Sequence, residues 1–208
     1  MTRLLSITSS PVGDQSKSSA LVEKFVAALR VHSPDLHITR RDLGATPPPH
    51  IDAEMIGSYY TPGDQRSEDQ QTAISLSNDL VEELMAAEVI VIGAPMHNFG
   101  ISSSLKTWID HVARVGLSFR YTENGPEGLI KGKRVYVITA NGGNYSEGHP
   151  AHAMDHQTPY LKTVLGFLGL DDVTFIHAFG ISGGEDGIRA AETEIDDIIA
   201  NKFAAHAA

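Results

Sequence analysis

Three loops in this 208-residue chain carry the residue types that a nucleotide site needs. The first is Ser9-Ser10-Pro11-Val12-Gly13-Asp14-Gln15-Ser16-Lys17-Ser18-Ser19, just ahead of an amphipathic stretch. A helix start presents unpaired N–H groups and a partial positive charge, so it suits a phosphate. The hydroxyls of Ser10, Ser16 and Ser18 and the backbone N–H of Lys17 would add donors. Charge-assisted hydrogen bonds contribute about 1.5–3 kcal/mol each, so roughly four or five can hold a dianion without a lysine ammonium. Ser16 could equally do no more than cap the helix. No G-x-G-x-x-G follows the first apolar run, and no G-x-x-x-x-G-K-[ST] occurs. A mononucleotide phosphate therefore fits better than a dinucleotide or a P-loop ligand.

The second loop, Gly93-Ala94-Pro95-Met96-His97-Asn98-Phe99-Gly100-Ile101, offers amide, aromatic and thioether groups that suit a planar ring. A tight turn with Phe99 in the core would explain the same residues. The third, Thr139-Ala140-Asn141-Gly142-Gly143-Asn144-Tyr145, has adjacent glycines that let the backbone pass close to a ring. A plain turn would explain Gly142-Gly143 equally well.

The elements that must position these loops follow from periodicity. Leu4 to Thr8 reads as a strand, Ser16 to about His32 as a one-sided helix, and Leu36 to Leu43 as a second strand. Gly44 to about Gln65 reads as a long irregular stretch, of the kind that is usually functional. Helices follow at about Ser67–Ala87, Ser103–Val112 and Pro159–Leu168, and a last one carries Ile188, Ala191, Ile195, Ile198 and Ile199 on one face. The run Val89-Ile90-Val91-Ile92 ends at Gly93 and suits a parallel strand covered on both faces. Arg134–Ala140 and Val173–Ala178 complete five strands. This alternation predicts one α/β domain over 1–208, a doubly wound five-stranded parallel sheet in the flavodoxin-like order 2-1-3-4-5 with helices on both faces. In that arrangement a ligand sits beyond the carboxyl ends of the strands. Those ends are Thr8, Gly93 and Ala140, where the three loops begin.

Composition narrows the chemistry. Apolar residues make up 41% and charged residues 20%, which permits a sizeable core. A formal charge of −10 argues against nucleic acid as a partner. With no cysteine, thiolate catalysis, zinc–thiolate sites and cysteine-ligated clusters are excluded. Any redox chemistry would need an organic cofactor or a non-thiolate metal site. Leu4 to Ile7 is too short for a signal peptide, and no run approaches the ~18 apolar residues of a membrane span. A cytoplasmic protein, independent of membranes, is expected.

Ala94-Pro95-Met96-His97-Asn98-Phe99, then Ser102-Ser103-Ser104-Leu105-Lys106, then Phe119-Arg120-Tyr121-Thr122-Glu123-Asn124-Gly125-Pro126-Glu127-Gly128-Leu129 resemble the bacterial FMN-dependent NADH:azoreductase and quinone oxidoreductase family. The resemblance extends from the Ser9-Ser10 loop to Leu165-Gly166-Phe167-Leu168-Gly169. It implies that Ser10, Ser16, Lys17 and Ser18 hold the phosphate and ribityl chain of FMN. Met96, His97, Asn98 and Phe99 would line the flavin ring with Ala140, Asn141, Gly142 and Gly143. It further implies a homodimer that takes two electrons from NADH or NADPH and passes them to quinones and azo compounds by a ping-pong scheme. No side chain need act as a nucleophile. Tyr59, Tyr60, Phe119, Tyr121 and Phe167 would wall the acceptor pocket. His97 stands where the family usually has tyrosine, and Ala140-Asn141 replace a more typical Ser-Arg. His97 would chiefly pack against the ring, with product protonation as its accessory role.

Other motifs compete. Gly180-Ile181-Ser182-Gly183-Gly184 matches a nucleophile elbow, but His206 in the tail is the sole histidine after it. His149, His152, Asp155 and His156 could bind a metal if helical, yet Pro150 favours a solvated loop. The rival of another class is a flavodoxin-like electron carrier serving a protein partner.

Overall fold

A computed structural model describes residues 2–203, in which strands and helices alternate. In chain order they are β1 (Arg3–Thr8), α1 (Lys17–His32), β2 (His37–Asp42), α2 (Ala53–Tyr60), α3 (Glu68–Ala86), β3 (Val89–Pro95), α4 (Ser103–Val112), β4 (Phe119–Thr122), β5 (Gly125–Gly128), β6 (Arg134–Asn141), α5 (Gln157–Leu168), β7 (Asp172–Phe179) and α6 (Asp186–Lys202). Five strands form one sheet in the order β2-β1-β3-β6-β7, with every pairing parallel. Counting only these five, the order is the expected 2-1-3-4-5.

Both faces are covered. Because strand side chains alternate, Val89 and Val91 face one layer while Ile90 and Ile92 face the other. The first pair packs with Leu21, Phe25 and Leu29 of α1 and Ile188 and Ile195 of α6. The second packs with Leu80 and Leu84 of α3, Leu105 and Trp108 of α4, and Leu161 and Leu165 of α5. Among the described residues, no helix is long and apolar enough to cross a membrane.

Three segments depart from the sequence reading. The stretch from Gly44 to Gln65 is not wholly irregular. Asp52 caps α2 by accepting from Met55 N–H at 2.9 Å, and Met55 buries itself. The preceding triple proline hides so short a helix. Phe119 to Leu129 folds into the β4–β5 hairpin, with Thr122 opposite Gly125 across a two-residue loop. Its glycines and Pro126 carry no strand alternation, so the hairpin is set by docking. A Cβ on Gly128 would lie 2.1 Å from the backbone nitrogen of Gly169, and Ile130 N–H donates to Leu168 O. Helix α5 begins two residues before Pro159 because the Asp155 carboxylate accepts from the N–H groups of Gln157 and Thr158.

The segment after β2 runs tightly beneath the first loop. A Cβ at Gly44 would stand 1.9 Å from the carbonyl oxygen of Ser10, a backbone atom that cannot swing away. Gly44→Ala is therefore expected to destabilise the protein by about 2 kcal/mol, read from urea unfolding midpoints.

Edge strand β7 carries a ladder of rings. His177 stacks on Phe179 with centroids 4.7 Å apart and on Phe175 at 5.9 Å, and its Nδ1 shares a 2.8 Å hydrogen bond with Thr139 Oγ1. Burial holds its pKa below the ordinary histidine value, Asp155 opposing this and Lys162 adding to it. The unfolded chain thus binds more protons than the fold across the window below ~6.5. This contribution to stability is complete above that window and is lost as pH falls through it. His177→Gln keeps a partner for Thr139 but does not titrate. Its unfolding free energy should fall less steeply than that of the parent between about pH 6.5 and 5; parallel curves would refute the assignment.

Candidate active site at the carboxyl ends of the strands

Register brings the three loops to one edge. Thr8 pairs with Gly93, and Pro95 with Ala140, so β1, β3 and β6 finish nearly level. Hydrogen bonds then tie the loops together. Ser9, fully buried, donates from Oγ to Gly93 O at 2.8 Å, and Ser104 Oγ donates to Ser9 O at 3.3 Å. Met96 N–H donates to Ala140 O at 2.9 Å, extending the β3–β6 ladder by one rung.

The start of α1 has the predicted form. Ser16 caps it, its Oγ accepting from Ser19 N–H at 3.1 Å and lying 3.2 Å from Ser18 Oγ. Helix geometry leaves the N–H groups of Lys17 and Ser18 without intrahelical acceptors. The Lys17 ammonium points elsewhere, paired with Glu185 at 3.1 Å. Beside this helix start lies a recess of about 280 Å³ lined by Ser10, Gly13, Ser16 and Ser19 together with Asp14, Glu23 and Asp42. The donors at hand are hydroxyl and peptide groups.

The second loop forms a tight turn. His97 and Gly100 exchange backbone hydrogen bonds, both 2.9 Å, across Asn98 and Phe99. Asn98 has φ 48° and Phe99 φ 69°, the left-handed region that a phenylalanine rarely occupies. Each such residue costs about 1–2 kcal/mol. Met96 is half-buried, while His97, Asn98 and Phe99 are exposed beyond the strand end. Phe99 O accepts from His156 N–H, which anchors the strained turn to the segment entering α5.

In the third loop Ala140 and Asn141 are buried, and Gly142 and Gly143 are exposed. The carbonyls of Asn141, Gly142 and Gly143 accept from the N–H groups of Ile181, Ser182 and Gly180. The elbow-like Gly180-Ile181-Ser182 therefore acts as a backbone brace, and its presumed partner His206 lies outside the described residues. A cleft of about 980 Å³ opens between Pro11, the Leu43–His50 segment and the residues from His97 to Thr107.

A family model described as flavodoxin-like fold matches residues 2–200. An FMN-dependent NADH:quinone oxidoreductase of Herminiimonas arsenicoxydans is 48% identical, with 96% of this chain and 97% of that protein covered. A second protein of that name, number 6 of Burkholderia lata, is 50% identical over 92% of this chain and 94% of its own. Among solved structures, an FMN-dependent NADH-azoreductase from Bacillus anthracis in complex with FMN superposes with a TM-score of 0.89. It is 26% identical, with coverage of 98% of this chain and 100% of that one. The chain belongs to this flavodoxin-like oxidoreductase family.

Within one chain of this family member, the expected aromatic walls stand apart from the cleft. Tyr59 lies under the Arg114 guanidinium, 3.9 Å from ring centroid to Cζ, with its hydroxyl 3.3 Å from Ser77 Oγ. It lines a different cavity of about 570 Å³ with Arg66, Asn78, Met85 and Leu117. Burial lowers the Arg114 pKa, offset in part by Tyr59, and Arg114 Nη1 donates to Ser77 Oγ at 2.7 Å. Phe119, Tyr121 and Phe167 cluster on the hairpin and α5, with centroids 4.5 and 5.7 Å from Phe119. Tyr60 and Tyr121 are 75% and 71% exposed. Among the described residues, the loop of His149, His152, Asp155 and His156 forms no metal-binding cluster. His152 Nδ1 instead lies 2.8 Å from Tyr145 O.

The sequence reading missed Ser9, Ser104 and Gln157 as parts of the site. Ser9 and Ser104 sit inside stretches rich in serine, where nothing marks which hydroxyl turns inward. Gln157 lies at a helix start and carries no signal of burial.

Proposed function

We propose that the chain is an FMN-dependent enzyme that passes two electrons from NADH, or NADPH, to quinones and azo compounds in a ping-pong cycle. The observation that carries this reading is the convergence of a hydroxyl-rich helix start and two exposed turns on one strand edge. The names of relatives about half identical over nearly the whole chain support it.

FMN fits the residues present. Its phosphate matches the donors of Ser10, Ser16 and Ser18 with the N–H groups of Lys17 and Ser18. Its ring matches the exposed face of Met96, His97, Asn98 and Phe99 opposite Ala140, Asn141, Gly142 and Gly143. When bound, FMN supplies the two-electron chemistry. The chain's residues bind, orient and shield. With the carbonyls of the third loop occupied, the N–H groups of Gly142 and Gly143 would be the donors left to stabilise negative charge on a bound ring. The turn at Asn98 and Phe99 would support the ring from one side, leaving the other face for a nicotinamide that must approach within ~3–3.5 Å. A single cleft used by donor and acceptor in turn would impose the ping-pong order. His97, exposed on the rim of the cleft, would pack against the ring. In a homodimer the exposed Tyr60 and Tyr121, with Phe119 and Phe167 behind, would wall the partner's cleft, while Tyr59 braces Arg114.

The net charge of −10 favours one second reading, an electron carrier docking on a protein. Anaerobic NADH added to the purified holoprotein separates the two. Bleaching of the flavin absorbance by NADH alone, reversed by a quinone, is the expected result. Bleaching that requires an added reductase would establish the carrier instead.

Ser16→Ala and Ser18→Ala should each raise the FMN dissociation constant at least about tenfold, with far-UV circular dichroism unchanged. Unaltered affinity in both would remove the phosphate from this loop.

A further inference from the structure

Gln157, the first residue of α5, is 0% exposed. A buried primary amide must find its partners inside the protein. Its Nε2 donates to Ala94 O at 3.0 Å, and its Oε1 accepts from Asn141 Nδ2 at 3.1 Å. Ala94 is the penultimate residue of β3, and Asn141 is the last residue of β6. The amide thus spans the two strands at the point where their ladder ends and the chains diverge into the two ring-facing turns.

The bridge has a fixed polarity. Ala94 O can only accept, so the Gln157 amide must present its nitrogen there and its oxygen to Asn141. Asn141 must then present its own nitrogen, and its Oδ1 is left buried without a partner among the described residues. The neighbouring residues extend the same bracket. His156 N–H holds Phe99 O at 3.0 Å, and Asp155 holds the N–H of Gln157 at 2.9 Å. His156 thus holds the first turn and Gln157 the start of the second, while Asp155 fixes the backbone between them.

We propose that Gln157 is a positioning residue that sets the spacing and orientation of the turns at His97–Gly100 and Asn141–Gly143, and so how tightly and in what environment the cofactor ring is held. The proposal rests on the FMN reading above. Gln157 does not reach the ligand; it acts through Asn141 and through the carbonyl end of β3.

Two variants test it. Gln157→Met keeps the length and removes both hydrogen bonds. Gln157→Glu, when its carboxyl is protonated, can again donate to Ala94 O and accept from Asn141. The readouts are FMN affinity of the apoprotein by titration and the visible circular dichroism of the bound flavin, with far-UV circular dichroism as the check on folding. Gln157→Met should weaken FMN about tenfold and change the visible band at every pH. Gln157→Glu should match it at high pH and recover toward the parent as pH falls through the titration of the introduced carboxyl. Folded variants with parental affinity and an unchanged band would overturn the proposal, as would weakening in Gln157→Glu that ignores pH. If Gln157→Met fails to fold, the pH profile of Gln157→Glu decides alone; if that also fails, Asn141→Asp, which reverses the polarity at the other end of the bridge, must weaken FMN or the proposal falls. A parent protein that binds no FMN would sink the functional reading, a result distinct from any of these.

Discussion

A parallel strand buried on both faces can satisfy its backbone along the ladder, but at its carboxyl end the carbonyls must find other donors. In this chain every such end at the centre of the sheet is met by a neighbouring loop. Thr8 O accepts from Leu43 N–H, Gly93 O from Ser9 Oγ, Ala94 O from Gln157 Nε2, and Ala140 O from Met96 N–H. Asn141 O accepts from Ile181 N–H. Terminating the sheet and assembling the site are thus one event. The donors that close the strands come from the site's own loops at Ser9, Leu43 and Met96 and from Gln157 and Ile181 beside them, and they hold these segments within a hydrogen bond of one another.

That arrangement explains how a strained turn persists. Asn98 and Phe99 both lie in the left-handed region, where a two-residue hairpin turn needs them and where glycine would relax more readily. The turn is held from both sides, by the paired bonds of His97 with Gly100 and by His156 N–H on Phe99 O. Strain at such a place is tolerated only when the surroundings over-determine it. A glycine at position 99 would ease the backbone and remove the ring that the turn presents, so the residue type points to the ring as what matters there.

Much of this was legible in the chain. The β-branched run Val89–Ile92 announces a central parallel strand, and each chemistry-bearing loop begins where an apolar run stops. Ser16 sits where a helix start needs an acceptor, and it caps α1. What escaped has a common physical character, because it depends on partners distant in sequence. Gln157 is polar and yet fully buried, since Ala94 and Asn141 come to it from two strands. The hairpin lacks alternation because Gly128 is specified by its approach to Gly169. Ser182 imitates a nucleophile while its backbone braces the Gly142 turn. Tyr59 stacks on Arg114, a buried cation invisible from sequence spacing.

The charge balance shows how local structure overrides composition. A chain with net charge −10 repels a dianion at long range. Its nearest ammonium, on Lys17, is already paired with Glu185 on the surface. The start of α1 nevertheless offers peptide N–H groups and hydroxyls that lie within a turn of one another. Fixed dipoles of this kind act over a hydrogen-bond length, where screening by salt is weak, whereas the net charge acts over distances that salt screens within ~10 Å. An acidic net charge is therefore no obstacle to an anion at a helix start, provided the fixed dipoles there lie within a hydrogen bond of it.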